Sequence, residues 1–182
     1  MPGMEQKQRE RNTAVLEWFD ALIFALAIVL VVLLFIVRTV NVDGLSMVPT
    51  LDNGEQLLIR SIAYTPQHGD VVVVDGYTNY GAPLVKRVIG LEGDVIDIDF
   101  ETGDVFVNDQ LLDEPYINDL TRRQYDIEFP VVVPEGKVFL MGDNRMYSID
   151  SRHSEIGYID ERDILGEVIL RIFPINKFGL IS

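Results

Sequence analysis

Leu84-Val85-Lys86-Arg87-Val88-Ile89 reads as a β-strand. Side chains alternate across a strand, so Leu84 and Val88 share the face of Lys86 while Arg87 points to the other side. A lysine among apolar neighbours is disfavoured as a cation, and burial moves its pKa down. Each unit of depression corresponds to about 1.4 kcal/mol and raises the neutral fraction at pH 7 nearly tenfold. Lys86 therefore qualifies as a general base. Forty residues upstream stands a partner, Ser46-Met47-Val48-Pro49-Thr50-Leu51. Pro49 fixes its own backbone and pushes Val48 towards an extended conformation. Gly44 allows a positive φ or a close backbone approach. Such a turn aims Ser46 Oγ outward and points the Ser46 N–H at a developing oxyanion. Serine is a weak nucleophile until a base takes its proton, which a buried lysine can do.

Outward from this strand the signals stay β. Leu57–Ile59, Asp70–Asp75, Val95–Phe100, Val105–Val107, Val131–Val133, Val138–Met141 and Glu167–Phe173 are short apolar runs bounded by Gly, Pro, Asn or Asp. Ile96, Ile98 and Phe100 alternate with Asp97 and Asp99, the pattern of a strand with one wet face. Glu101–Asp104 turns the chain into Val105–Val107, a hairpin. The expected fold is mostly β: an antiparallel catalytic core with a small β cap or insertion, on a single N-terminal transmembrane helix. The expected boundaries are a cytoplasmic tail over 1–18, an anchor over 19–38, a core over 39–96 and 134–182, and a cap over 97–133. The cap stretch is acidic, with Asp109, Asp113, Glu114, Asp119, Asp126 and Glu128. An ordinary long surface excursion fits that composition as well.

The anchor rests on Ala21–Val37, a run of seventeen residues without charge. A helix of that length only just crosses a hydrocarbon core. A buried soluble helix would show a polar face, and this run has none. A cleaved signal peptide would need small residues at its exit, where Arg38-Thr39-Val40-Asn41-Val42 stands instead. Lys7, Arg9 and Arg11 precede the run and only Arg38 follows closely. The positive-inside rule then puts the N-terminus in the cytoplasm and the rest outside.

Across 182 residues the net charge is −14, which a nucleic acid would repel. The absence of cysteine removes disulfides and a thiol nucleophile. His68 and His153 lack metal-ligand spacing, so neither a metal nor another cofactor is expected.

A third segment, Gly142-Asp143-Asn144-Arg145-Met146-Tyr147-Ser148-Ile149-Asp150-Ser151-Arg152, gathers turn formers, hydroxyls and opposite charges. Ser148 can hold the lysine amine, and Asp150 can pair with Arg145 or Arg152. A surface loop pinned by ion pairs of little individual worth is the plainer alternative.

Four motifs in order resemble bacterial signal peptidase I, a membrane-bound serine endopeptidase: Ser46–Leu51, Gly69–Val73, Lys86–Asp94 and Gly142–Arg152. The resemblance covers the apolar run and nearly all of residues 41–173. It implies that Ser46 is the nucleophile, Lys86 the general base and Ser148 the residue orienting the lysine. By the same match Asp150 steadies that loop with Arg152, and Asp143 is the aspartate of its first turn. Val42, Met47, Val73 and Val85 fall where the family lines small pockets for the first and third residues before the cut. Two positions depart from the pattern. Glu92 stands where many members have proline, and Gly44 where some have a serine donating to the oxyanion, which gives the Ser46 N–H more weight. Lysine at position 86 separates the chain from the endoplasmic-reticulum branch, which has histidine there.

The implied activity is removal of signal peptides from secretory preproteins through an acyl-enzyme, on the outer face of a bacterial cell membrane, with the lipid bilayer as a second partner. A self-cleaving Ser-Lys repressor would need a DNA-binding helix pair at its N-terminus, where an apolar run stands. A catalytically dead sorting module would not require both reactive positions to be intact.

Overall fold

The computed structural model describes residues 15–30, 37–62, 64–76 and 81–181. The chain divides into two compact units, Met1–Arg38 and Thr39–Ser182. In the first, residues 15–30 are helical, and Trp18, Leu22, Phe24 and Leu26 are exposed. Residues 1–14 and 31–36, which include most of the expected tail and part of the expected anchor, lie outside the described residues. Among the described residues no helix is long and apolar enough to cross a membrane. The membrane-spanning helix expected over 19–38 is not supported among the described residues: the helix there covers residues 15–30, and Val37 and Arg38 belong to a strand.

The second unit is built of short strands. In chain order they are β1 (Val37–Asn41), β2 (Gln56–Arg60), β3 (Val71–Val74), β4 (Leu84–Gly90), β5 (Val95–Asp99), β6 (Asp104–Val107), β7 (Gln110–Leu111), β8 (Val131–Val132), β9 (Lys137–Met141), β10 (Ile159–Asp160), β11 (Ile164–Phe173) and β12 (Gly179–Leu180). The larger sheet runs β1-β2-β11-β3-β4-β9-β10, with β12 also on β11, and the smaller runs β7-β6-β5-β8. The mostly β architecture expected from the strand runs is what forms.

β3 and β4 lie side by side inside the larger sheet, where nearly all seven residues of β4 and all four of β3 are buried. Its register with β3 sets Lys86 opposite Val72, and Val85 opposite Val73. Since the pleat alternates, Val72, Val74, Leu84 and Val88 enter one apolar cluster with Val138 and Leu140. Val73 goes the other way, into a cluster with Val42, Met47, Leu51, Leu57 and Ile59, against which Val85 packs. A third cluster joins the sheets. Ile89, Phe139 and Met141 of the larger sheet meet Ile96, Ile98 and Val105 of the smaller. The wet-face reading of β5 holds, its residues alternating exposed and buried from Val95 to Asp99.

Candidate active site

The turn after β1 is held by the residues flanking its serine. Met47 is 1% exposed and Leu51 0%, and full burial of such a side chain is worth about 1.5–3 kcal/mol. Leu51 N–H donates to Met47 O at 2.8 Å. Gly44 takes φ +97°, in the left-handed region that its lack of a Cβ permits. Ser46 is left half-buried between these anchors. Its own N–H makes no hydrogen bond among the described residues.

Lys86 comes to this serine from β4. It is 3% exposed, and Nζ lies 2.9 Å from Ser46 Oγ and donates to Val85 O at 3.1 Å. Burial, the largest influence, brings its pKa down to about 8, with Arg152 pushing the same way and Asp150 and Asp143 opposing. At that pKa about a tenth of the amines are neutral at pH 7, and the neutral form accepts a proton from Oγ across the same contact.

The two carboxylates near the lysine are each committed to a guanidinium. Asp143 accepts from Arg87 Nε at 2.9 Å and Nη2 at 2.8 Å, and also from the Thr50 hydroxyl. Asp150 accepts from Arg152 Nε at 2.8 Å and Nη2 at 2.9 Å, and from Gly142 N–H at 3.0 Å. Burial alone would raise the Asp150 pKa; the charge and hydrogen bonds of Arg152, with the Gly142 N–H, outweigh it and leave it below the usual range. Of the two partners open to Asp150 in the sequence, Arg152 is the one taken, while Arg145 pairs with Glu114. Asp143, Arg145, Ser148, Asp150 and Arg152 are all 0% exposed, so the charged and hydroxyl side chains of the segment are interior, while Met146 and Tyr147 face solvent.

Ser148 Oγ is buried without a hydrogen-bond partner, and the contacts of Lys86 Nζ run to Ser46 and Val85 instead. Ser148 is nevertheless close to Ser46. A methyl group built on Gly142 would lie 2.2 Å from Ser148 Oγ and 2.5 Å from Ser46 O. Gly142 thus lies between the Ser148 hydroxyl and the Ser46 carbonyl, with no room for a side chain.

A cleft of about 590 Å³ opens at Ser46 and Lys86, lined by Val42, Gly44, Met47, Val85, Tyr147 and Ile149 among others. Three of the four expected pocket residues therefore face it. Val73 does not: it is 0% exposed and packs in the core cluster that includes Val42 and Met47. Glu92, at the departure from the motif, accepts from Gly136 N–H at 2.8 Å.

Two contributors were not singled out by sequence. Asn144 N–H donates to Ser46 O at 2.9 Å and its Nδ2 to Leu45 O at 3.0 Å, so one residue grips both carbonyls of the nucleophile turn. Gly142 is the other. The turn formers Gly142-Asp143-Asn144 are visible in the sequence; their convergence on Ser46 is not. Among the described residues no group of His, Cys, Asp or Glu is arranged to hold a metal ion.

A half-buried serine thus stands beside a buried lysine on a mostly β scaffold, and comparison assigns the chain to a class of peptidase. Residues 15–173 match the family model for signal peptidase, peptidase S26, and the chain belongs to that family. It is 34% identical over 183 residues to signal peptidase I of Bacillus licheniformis, covering 95% of this chain and 96% of that one. It is 36% identical to signal peptidase IB of Staphylococcus aureus strain COL, covering 90% and 92%. A crystal structure of a signal peptidase I from Enterococcus faecalis V583 matches with 27% identity and a TM-score of 0.47, covering 58% of this chain and 97% of that one. The activity is accordingly that of signal peptidase I, a hydrolase that acts on secretory preproteins.

Proposed function

We propose that the chain cleaves signal peptides by a Ser46–Lys86 dyad through an acyl-enzyme. The observation that carries this reading is the 2.9 Å contact between Lys86 Nζ and Ser46 Oγ with the lysine 3% exposed. Neutral Lys86 takes the Ser46 proton as Oγ attacks the scissile carbonyl. The tetrahedral oxyanion is met by the free Ser46 N–H. The lysinium then passes its proton to the leaving amine, releasing the mature protein. Water, deprotonated by the same amine, attacks the ester and frees the signal peptide with Ser46 restored.

Substrate enters extended along the cleft. Val42, Met47 and Val85 leave room for small side chains at the first and third residues before the cut. Ser148 supports the lysine from the loop, and Asp150, Arg152 and Asp143 hold that loop in place. Residues 19–38 serve as a single-pass anchor in a bacterial cell membrane, with the N-terminus cytoplasmic and the β unit outside. The exposed apolar side chains of the 15–30 helix and the uncharged Ala21–Val37 run support this placement.

The test is cleavage of a model preprotein by wild type, Ser46→Ala and Lys86→Arg. Both variants should fold and show no turnover, because guanidinium does not release its proton at usable pH. Turnover above a few per cent of wild type in either one removes the dyad.

A further inference from the structure

Between β7 and β8 the chain makes a long excursion whose composition is that of a solvated loop, yet parts of it are buried. Thr121 is 0% exposed, and the Glu114 side chain 7%. The reason is Arg145. This fully buried guanidinium donates from Nε to Gly142 O at 3.1 Å and from Nη1 to Thr121 Oγ1 at 2.6 Å. Both of its terminal nitrogens reach the Glu114 carboxylate, Nη1 to Oε2 at 3.0 Å and Nη2 to Oε1. A buried charge needs such a partner, and bidentate pairing also fixes its orientation.

The excursion touches the same loop at further points. Arg123 Nη1 donates to Met146 O at 2.8 Å, Tyr125 Oη to Ser148 O at 2.7 Å, and Arg152 Nη1 to Arg123 O at 3.2 Å. The loop is thus held from one side at residues 145, 146, 148 and 152. Its other side meets the nucleophile turn, through Asn144 N–H on Ser46 O and the bare Cα of Gly142 between Ser46 O and Ser148 Oγ. Excursion, loop and Ser46 are joined by one continuous chain of polar contacts, buried at Arg145 and Thr121 and part-buried or exposed elsewhere.

We propose that residues 114–125 are a positioning strap for the catalytic pair, with Glu114 acting through Arg145 and Tyr125 through the Ser148 carbonyl to set where Ser46 Oγ stands relative to Lys86 Nζ. This rests on the dyad reading above. Neither strap residue touches the reacting atoms. Displacement of reacting groups by about 1 Å from a remote change costs up to about a hundredfold in rate. The charged groups that face Lys86 are Asp150, Asp143 and Arg152. All three lie on the loop the strap holds, so loosening it changes both the reach and the proton affinity of the amine.

The experiment compares full-length wild type, Tyr125→Phe, Glu114→Gln and the control Glu101→Gln, at an exposed site outside the strap, on a peptide with small residues at the first and third positions before the cut. kcat per folded enzyme, KM and the acid limb of the pH–rate profile are measured, with the folded fraction taken from thermal melts. Tyr125→Phe should lower kcat about tenfold with KM within about twofold, and should move the acid limb up by about half a unit or more as the amine gains water. Glu114→Gln should do the same more strongly, and Glu101→Gln should match wild type. A folded Tyr125→Phe with wild-type kcat and pH profile, or losses that only track the folded fraction, overturns the strap. Should Glu114→Gln fail to fold, Tyr125→Phe decides alone. Ser46→Ala is run in parallel. Turnover retained there removes the dyad, whereas a dead Ser46→Ala beside a wild-type-like Tyr125→Phe removes the strap only.

Discussion

Adding one methyl group at Gly142 tests the site at its narrowest point. The new Cβ of Gly142→Ala would fall 2.2 Å from Ser148 Oγ, 2.5 Å from Ser148 Cβ and 2.5 Å from Ser46 O. Carbon atoms rest at about 3.5–4.0 Å from one another, so the two serines must part by about 1 Å or more in sum. Neither can yield freely. The Ser46 carbonyl is tied to Asn144 N–H at 2.9 Å, and the Ser148 carbonyl to Tyr125 Oη at 2.7 Å. Because Lys86 Nζ and Ser46 Oγ are 2.9 Å apart, a shift of that size carries them out of hydrogen-bond range. The expected loss in kcat is about a hundredfold. Overpacking also lowers stability, by about 1–3 kcal/mol, so the variant should still be folded at room temperature. The assay is peptide cleavage per folded enzyme, with circular dichroism to count the folded fraction. A folded Gly142→Ala within about threefold of wild-type kcat would refute the geometric reasoning.

Lys86→Met should abolish turnover yet stabilise the protein near neutral pH. The folded-state pKa of about 8 lies below the unfolded value near 10.4, so the folded state binds fewer protons between the two. The resulting cost of about 3 kcal/mol is fully present below pH 8 and relieved as pH rises through that window. Denaturation midpoints should therefore favour Lys86→Met at pH 7 and converge on wild type above pH ~10; equal midpoints at pH 7 would contradict the buried, depressed lysine. The same pKa predicts a wild-type kcat/KM that climbs with pH and levels off above about 8. Val85→Ala should enlarge the cleft that Val85 lines and admit larger residues at the third position before the cut, read from a peptide panel. An unchanged profile would remove Val85 from the specificity wall.

The strands that sequence reveals are the ones with enough alternating or β-branched residues to carry a period. β2, β3, β4, β5, β6, β8, β9 and β11 all fall on such runs. β7, β10 and β12 are two residues each and carry no readable period. β1 was hidden because Arg38-Thr39-Val40-Asn41 looked like the exit from the apolar run. β11 begins at Ile164, three residues before the run beginning at Glu167, since register shifts near Gly166 break the alternation. Ser46 and Lys86 were legible because each sits in a local pattern with its own physical reason. Glu114 and Thr121 were not. Their burial depends on Arg145, 31 and 24 residues away, and acidic composition alone describes a wet loop equally well. Ser148 shows the converse: the motif names the residue, but not that its Oγ would be buried without a partner.

Lys86 and Arg87 are adjacent, both basic and both about 97–98% buried, yet the fold treats them oppositely. Strand alternation is what makes this possible, since it sends their side chains to different faces. Arg87 receives the full carboxylate of Asp143 and a backbone oxygen, Gly69 O, at 2.7 Å. Tyr116 covers its guanidinium at 3.9 Å. A guanidinium cannot shed its proton, so it must be paired wherever it is buried. Lys86 can shed its proton, and its recorded hydrogen bonds are to a hydroxyl and a carbonyl, with no carboxylate among them. The carboxylates near it are already claimed, Asp143 by Arg87 and Asp150 by Arg152. Their pull on the amine is correspondingly weak against desolvation, which decides the direction of the shift. The two arginines thus keep the neighbouring acids occupied. Without Arg152, the pull of Asp150 would raise the proton affinity of Lys86 and shrink the fraction of amine that is neutral at pH 7. The same 2.9 Å geometry would then hold a neutral base less often.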